Sequence, residues 1–445
     1  MGVRYTVEKS MAMYKRAGEL IPGRTQLISR RASQHASGIS PVYAERAKGA
    51  RFVDVDGNEY LDMENAVSAI ILGHADDVVD QAVKDQIDRG SIYTLNGPLE
   101  IELAEELVQC IPSAQMVRYA KAGGETCALA ARIARGTTGK DIILFCGYHG
   151  WHDWYQSANY LVDPESGEYP FAGIEPIGVP KVLAGTAIPF KYGDLEMLST
   201  LLKKYDGRVA AVMMEPARSD IPPTGYLESV KNLTHKYEAL LIFDEVSCGW
   251  RIRIGGMQEL TKVTPDMTTL AKAMSNGYAM GAVVGSYEAM SPAASMFVSS
   301  SYWSDNVGLI AALTTIRELK RRGSVSFFDS MGNLVRDTIN KALISADLPG
   351  SCVGLPHNPG IVFNLPAPEL IPIASTLFIQ EMSVRGIYTG TSFRVTMAHN
   401  EDDICQLGEV AYEVFRVIKK GLDQGTLEEL LECDLKKEPF RRMVR

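Results

Sequence analysis

Lys272 is the single charged side chain in the eighteen residues TTLAKAMSNGYAMGAVVG, positions 268 to 285. A lysine stem often lies along apolar surface while its ammonium reaches water. An amine kept from water loses its proton more readily, and the neutral amine attacks carbonyl carbon. Lys272 alone is compatible with either situation, so its companions decide between them.

Three apolar runs end in residues that could serve such an amine. AAVMMEP ends in Glu215, LLIFDEV ends in Asp244 and Glu245, and QMVRYAKAGGE ends in Gly123 and Gly124. An acid after a strand is often an ordinary cap or turn residue. The two glycines open a helix, AKAGGETCALAARIARG, whose stripe includes Cys127, Ala130, Ile133 and Ala134. Unblocked N–H groups and the helix dipole would there face an anion, so a phosphate seat is expected. The stretch FCGYHGWHDWY brings Tyr148, His149, Trp151, His152, Trp154 and Tyr155 to another strand end, which reads as a stacking wall for a planar ligand. His149 and His152 have no HExxH context and no companion cysteine cluster, so no metal site is expected. A flat aldehyde bearing a phosphate and a basic ring nitrogen would use lysine, carboxylate, wall and anion seat together. Pyridoxal 5'-phosphate is such a molecule.

The elements that must position these groups are legible as an alternation. QMVRYA, DIILFCGY, AAVMMEP and LLIFDEV are apolar runs separated by helical segments, which predicts a mostly parallel sheet covered by helices on both faces. In such sheets the ligand lies beyond the carboxyl ends of the strands, where all the candidate residues fall. PLEIELAEELVQCIP places Leu99, Leu103 and Leu107 on one helical face, with Pro112 beyond its end. The stretch from about 155 to 190 reads as a long functional loop. Residues 1–75 form an N-terminal segment with a small hairpin turning at Asp56-Gly57, residues 76–325 the large domain, and residues 326–445 a C-terminal α+β domain. In that last segment SFFDSMGNLVRDTINKALISA and ICQLGEVAYEVFRVIKKGL are amphipathic helices flanking short strands such as GIVFNLP.

Composition narrows the partners. The chain of 445 residues carries a formal net charge of -9, so electrostatic affinity for nucleic acid is not expected and a small-molecule partner is. Its seven cysteines contain no CxxC pair, which suits reduced thiols and a cytoplasmic location. The start MGVRYTVEKSMAMYKRAGEL has charges throughout and no apolar core, so no signal peptide is read there, and no run is long and apolar enough for a membrane span.

RYAKAGGETCALAARIARGTTGKD, CGYHGWHD, MMEPARSD, LLIFDEVSCGWR, TLAKAMSNGYAMGAVVG and VSSSYWSDNVGLIAALTTIRELK, in that order, resemble class III aminotransferases, in particular their glutamate-1-semialdehyde aminomutase-like branch. The resemblance runs from about residue 20 to about residue 420. It implies the α/β architecture of fold type I enzymes that use pyridoxal 5'-phosphate. In that architecture a large domain, with a mostly parallel sheet flanked by helices, accompanies a small α+β domain built from N- and C-terminal segments. It also implies a homodimer with active sites at the interface. By the resemblance Lys272 forms the Schiff base with the cofactor (the internal aldimine) and moves protons, and Asp244 partners the pyridine nitrogen. At about 4 Å and an effective dielectric near 20, such an anion would favour the protonated ring by roughly 4 kcal/mol. Val246 and Tyr148 would pack on the two ring faces, and Gly123, Gly124 and Glu125 match the phosphate-binding segment. Gly124 stands where the family has Ser or Thr; losing that bond would cost about 1.5–3 kcal/mol unless another donor replaces it. Ser301, or Ser300, matches the residue that the neighbouring subunit contributes to the phosphate.

Substrate residues are read from position. Arg218, just past the Glu215 strand end, could fork onto a carboxylate or phosphate, as could Arg394. His149, Trp151 and His152 could line the substrate side, and Glu215 supports the site. The expected function is an aminotransferase or aminomutase joining a small-molecule amino donor and a carbonyl acceptor through a pyridoxamine phosphate half-reaction. A racemase/epimerase or an ammonia-lyase would use the same lysine and aspartate. A nucleotide-dependent oxidoreductase, without GxGxxG, is the distant alternative.

Overall fold

The apolar runs that end at Ala120, Cys146, Met214 and Asp244 are strands of one sheet. A computed structural model of the chain describes residues 4–161, 175–217 and 220–436. The described residues divide into two compact units, one comprising Asp77 to Val325 and the other residues 4–76 together with 326–436.

In the first unit, β4 (Met116–Ala120), β5 (Ile142–Cys146), β6 (Ala187–Pro189), β7 (Val209–Met214), β8 (Leu240–Asp244), β9 (Met267–Leu270) and β10 (Gly281–Gly285) form a sheet in the order β4-β10-β9-β8-β7-β5-β6. Adjacent pairs are parallel from β9 through β8, β7 and β5 to β6, while β10 is antiparallel to both β9 and β4. Strand β4 therefore points the same way as β5 to β9, and the carboxyl ends carrying the candidate residues share one edge. β5, β7, β9 and β10 are buried along their whole length, and β5 and β7 read as continuous apolar runs without alternation. The helix Gly123–Thr138 packs its face of Cys127, Leu129, Ala130, Ile133 and Ala134 into the core with Phe145, Met213, Ile242, Met267 and Val283. Gly139, left-handed at φ 68°, ends that helix.

Lys272 lies in the connection between β9 and β10, where it opens a short 3-10 turn, Lys272–Ser275. The helix expected from Leu99, Leu103 and Leu107 spans Pro98–Cys110, with Leu103 and Leu107 fully buried. Of the expected long loop near 155 to 190, residues 162–174 lie outside the described ones; the remainder includes β6 and two short 3-10 turns, Ser157–Tyr160 and Lys181–Leu183.

In the second unit, β1 (Ala44–Lys48), β2 (Arg51–Asp54) and β3 (Glu59–Asp62) form an antiparallel meander, joined in parallel by β13 (Ile387–Tyr388). Asp54 ties the turn between β2 and β3 by accepting from Asp56 and Asn58 N–H. β11 (Gly350–Val353) and β12 (Gly360–Phe363) make a separate hairpin. The helices Leu370–Ser383 and Glu401–Gln424 pack together through the stacked rings of Phe378 and Phe415. No helix among the described residues is long and apolar enough to cross a membrane.

Candidate active site

Asp244 ends β8 and Thr269 lies opposite it on β9, so the two parallel strands deliver Asp244 and, three residues after Thr269, Lys272 to the same edge. Thr269 Oγ1 donates to Asp244 Oδ1 at 3.1 Å, and the Val246 N–H donates to the same oxygen at 3.0 Å. His149 Nδ1 lies 2.7 Å from Oδ2, which also accepts from the Cys127 thiol at 3.3 Å. Burial by itself would raise the Asp244 pKa. The His149 bond and charge, with the Val246 and Cys127 donors, outweigh it, and the carboxyl is held below its ordinary value. Cys127 moves the other way: burial, then the Asp244 charge, push its thiol well above its usual range, so it stays a donor.

His149, read from sequence as part of a wall or of the substrate side, is 1% exposed and serves Asp244. Trp154 and Tyr155 likewise belong to the core, while Trp151 is 71% exposed and stacks on His152 at 4.6 Å between centroids. Of the six ring-bearing residues, Tyr148 sits half-buried in the turn after β5. Glu215, buried at the end of β7, clamps that turn: its Oε2 accepts the Tyr148 N–H at 3.1 Å.

Lys272 is half-buried and its backbone is left-handed, with φ 48°. Such a conformation costs an L-residue roughly 1–2 kcal/mol, and such strain collects where a side chain must be aimed. The Nζ donates to Ser247 Oγ at 2.7 Å. Ser247, three residues beyond Asp244, was missed by sequence reasoning. Its signal was its place after a strand end, which many serines share.

At the other end of the site lie Gly123 and Gly124. Ala122 offers the helix Gly123–Thr138 no side-chain cap, so its first-turn N–H groups face outward without one. A Cβ on Gly123 would meet Val246 Cγ1 at 2.7 Å, which places Val246 against this turn. Glu125 uses one carboxylate oxygen for the Lys121 N–H (2.7 Å) and the other for Trp303 Nε1 (2.8 Å), so it braces the segment. Ser299, Ser300 and Ser301 are all exposed. Arg218 lies outside the described residues. Arg394 belongs to the other unit, where it pairs with Glu64.

The arrangement fits pyridoxal phosphate on its own chemistry. A carboxylate kept ionised suits a ring N–H, an amine emerges on the adjacent strand end, and an uncapped helix start with two glycines suits an anion.

A family model described as aminotransferase class-III matches residues 32–351. The chain is 32% identical over 432 residues to the 3-aminobutyryl-CoA aminotransferase of Cloacimonas acidaminovorans (strain Evry), covering 95% of this chain and all of that protein. It is 35% identical over 358 residues to the glutamate-1-semialdehyde 2,1-aminomutase of Methanothrix thermoacetophila, covering 78% of this chain and 80% of that one. The solved structure of the PLP internal aldimine form of the FumI protein from Sphingopyxis sp. MTA144 matches with a TM-score of 0.85 at 22% identity, over 96% of this chain and 99% of that one. At that identity the likeness concerns the fold, which is that of fold type I enzymes.

Proposed function

The chain belongs to the class III aminotransferases and is an enzyme that uses pyridoxal 5'-phosphate; from that premise we propose how its own residues divide the work. When bound, the cofactor supplies an aldehyde that condenses with amines and an electron-poor ring that takes up the pair left when a Cα–H bond breaks. Asp244 holds the ring nitrogen protonated, and His149 keeps Asp244 ionised and oriented. Lys272 Nζ would hold the cofactor's aldehyde in the resting enzyme and, once free, would move the proton at the substrate Cα. Ser247 steadies Nζ. Val246 and Tyr148 enclose the ring, and the first turn after Gly123 and Gly124 holds the phosphate.

The observation that carries this reading is the placement of a buried, multiply bonded Asp244 one strand away from Lys272. Borohydride treatment followed by digestion is expected to place the cofactor's mass on the Lys272 peptide. In Lys272→Ala no such adduct forms; an adduct on another lysine would overturn the assignment.

The substrate class is a small amino acid or primary amine with a carbonyl acceptor. The relatives' names add β-amino thioesters and α-amino aldehydes as candidates. Mixing the holoenzyme with a panel of such amines, without acceptor, separates the outcomes. Bleaching with release of a carbonyl compound indicates transamination, and an amino group shifted within the same molecule indicates a mutase. Solvent-deuterium exchange without bleaching points to a racemase, and free ammonia to a lyase. We further propose a cytoplasmic homodimer in which the exposed segment Ser299–Ser301 is presented to the site of a second copy. Sedimentation of the holoenzyme at twice the mass of the chain is the expected result.

A further inference from the structure

Gly124 lacks the hydroxyl that the phosphate seat of this family carries, and the structure puts another polar group beside the gap. Gly150 adopts φ 102°, and any Cβ on it would lie 2.5 Å from Gly124 Cα, so the two backbones touch. That approach is open only to glycine at position 150, and it carries the following residues over the start of the helix Gly123–Thr138. A Cβ built on Gly124 would have His152 Nδ1 at 3.4 Å and Gly150 Cα at 3.3 Å as its nearest neighbours, with His152 Cε1 at 3.5 Å. The imidazole nitrogen therefore stands next to the place where a serine or threonine oxygen would project.

His152 Nδ1 is itself out of contact with water and has no hydrogen-bond partner. A buried polar atom without a partner is uncommon and asks for a ligand. Stacking on Trp151 fixes the plane of the ring. Burial lowers the His152 pKa, against the pull of Glu125 and Asp153, so before an anion arrives the ring is neutral and presents one N–H.

We propose that His152 is the side-chain ligand of the cofactor's phosphate, replacing through its Nδ1–H the hydroxyl that position 124 lacks. This rests on the phosphate seat assigned above, and it adds to the backbone N–H groups one charge-assisted donor of the kind that binds phosphate most strongly.

The test compares pyridoxal 5'-phosphate with pyridoxal, which keeps the aldehyde and the ring and lacks the phosphate. Binding of each to apoenzyme is measured by equilibrium titration of fluorescence, with circular dichroism to confirm the fold. His152→Ala is expected to weaken pyridoxal 5'-phosphate roughly ten- to hundredfold, the worth of a hydrogen bond to a charged group, and to leave pyridoxal unchanged. His152→Asn places an amide nitrogen where Nδ1 stands and recovers most of the loss; His152→Gln, whose nitrogen matches Nε2, does not. In the wild type labelled with nitrogen-15 histidine, the Nδ1 resonance of His152 shifts on adding pyridoxal 5'-phosphate and stays put on adding pyridoxal, a readout that needs no variant to fold. Equal losses for the two ligands, no loss for either, or a resonance that ignores the phosphate would overturn the proposal. In each of those cases Lys272 would still capture the cofactor, whereas failure of the wild type to form the Lys272 adduct would overturn the functional reading instead.

Discussion

The two ends of the proposed cofactor site are built by opposite means. At the Asp244 end, three side chains from three other segments converge, and His149, Cys127 and Thr269 donate to one carboxylate together with the nearby backbone N–H of Val246. At the Gly124 end, side chains are absent instead, which leaves the helix start without a side-chain cap and brings one imidazole, that of His152, beside it. The first end must hold a charge inside protein, which is expensive unless every lone pair is matched. The second receives a charge that arrives with the ligand and needs donors in place but no buried counter-charge. The comparison predicts that substitutions at the first end disturb ionisation and chemistry, and that those at the second disturb affinity alone.

The largest effect is expected from Asp244→Asn. It keeps the shape but loses the anion, and an attraction of roughly 4 kcal/mol corresponds to about a thousandfold in the rate of Cα proton removal. A stopped-flow measurement of the amine half-reaction checks it. If cofactor affinity collapsed while that rate held, the division between the two ends would be wrong.

Asp244's neighbour sharpens the point. Glu245 is also fully buried, but burial dominates there, and the N–H groups of Met257 and Gln258 only partly oppose it, leaving its pKa at about 7. A folded-state value above the unfolded one near 4.5 means that stability is full below about pH 4.5 and declines as pH rises through 7. The change amounts to about 3 kcal/mol. Glu245→Gln should flatten that decline, as chemical denaturation at pH 5 and pH 8 would reveal. An unchanged slope would show that Glu245 ionises freely.

How much of this was legible in the sequence follows the same physics. Lys272 and Asp244 stood out because a charge in an apolar run contradicts its surroundings, and β5, β7 and β8 were readable as runs. The turn of Gly123 and Gly124 was readable because two small residues opened an amphipathic helix. β10 was not, because GAVVG carries glycine at both ends and its antiparallel pairing with β4 and β9 has no local signature. The role of His149 was hidden for a different reason: its partner lies 95 positions away, and an aromatic cluster looks alike whether it lines a ligand or fills a core. Trp154 and Tyr155 show the same ambiguity resolved toward the core. The helix Leu370–Ser383 went unread because much of its surface is buried, so it shows no amphipathic stripe, and Pro372 sits in its first turn.

His149→Phe comes next in size. It fills the ring's space and removes the strongest donor to Asp244, a bond to a charged group worth about 1.5–3 kcal/mol. Asp244 is depressed in the folded protein, so its anion persists above that pKa and is lost as pH falls through it. Without His149, burial is less opposed and the pKa rises, so the acid limb of the half-reaction's pH profile should move to higher pH. The basic limb is expected to stay where it is. An acid limb that fails to move would mean that Val246, Thr269 and Cys127 suffice to hold the charge.

The smallest effect belongs to Gly124→Ser, which restores the hydroxyl to a place already taken. The new Cβ would sit 3.3 Å from Gly150 Cα and 3.4 Å from His152 Nδ1, close enough that the loop must yield slightly. Gain from the added donor and loss from crowding therefore oppose each other, and cofactor affinity should change by less than about tenfold in either direction. In a His152→Ala background the contact with the ring is gone while that with Gly150 Cα remains, and the phosphate lacks its side-chain donor, so the same serine should strengthen binding more than it does in the wild type. Two neighbouring groups that substitute for one another give a non-additive double-mutant cycle. Additive effects would mean that the imidazole and the serine act on different parts of the ligand, and the contrast between a crowded carboxylate end and a bare phosphate end would then rest on backbone donors alone.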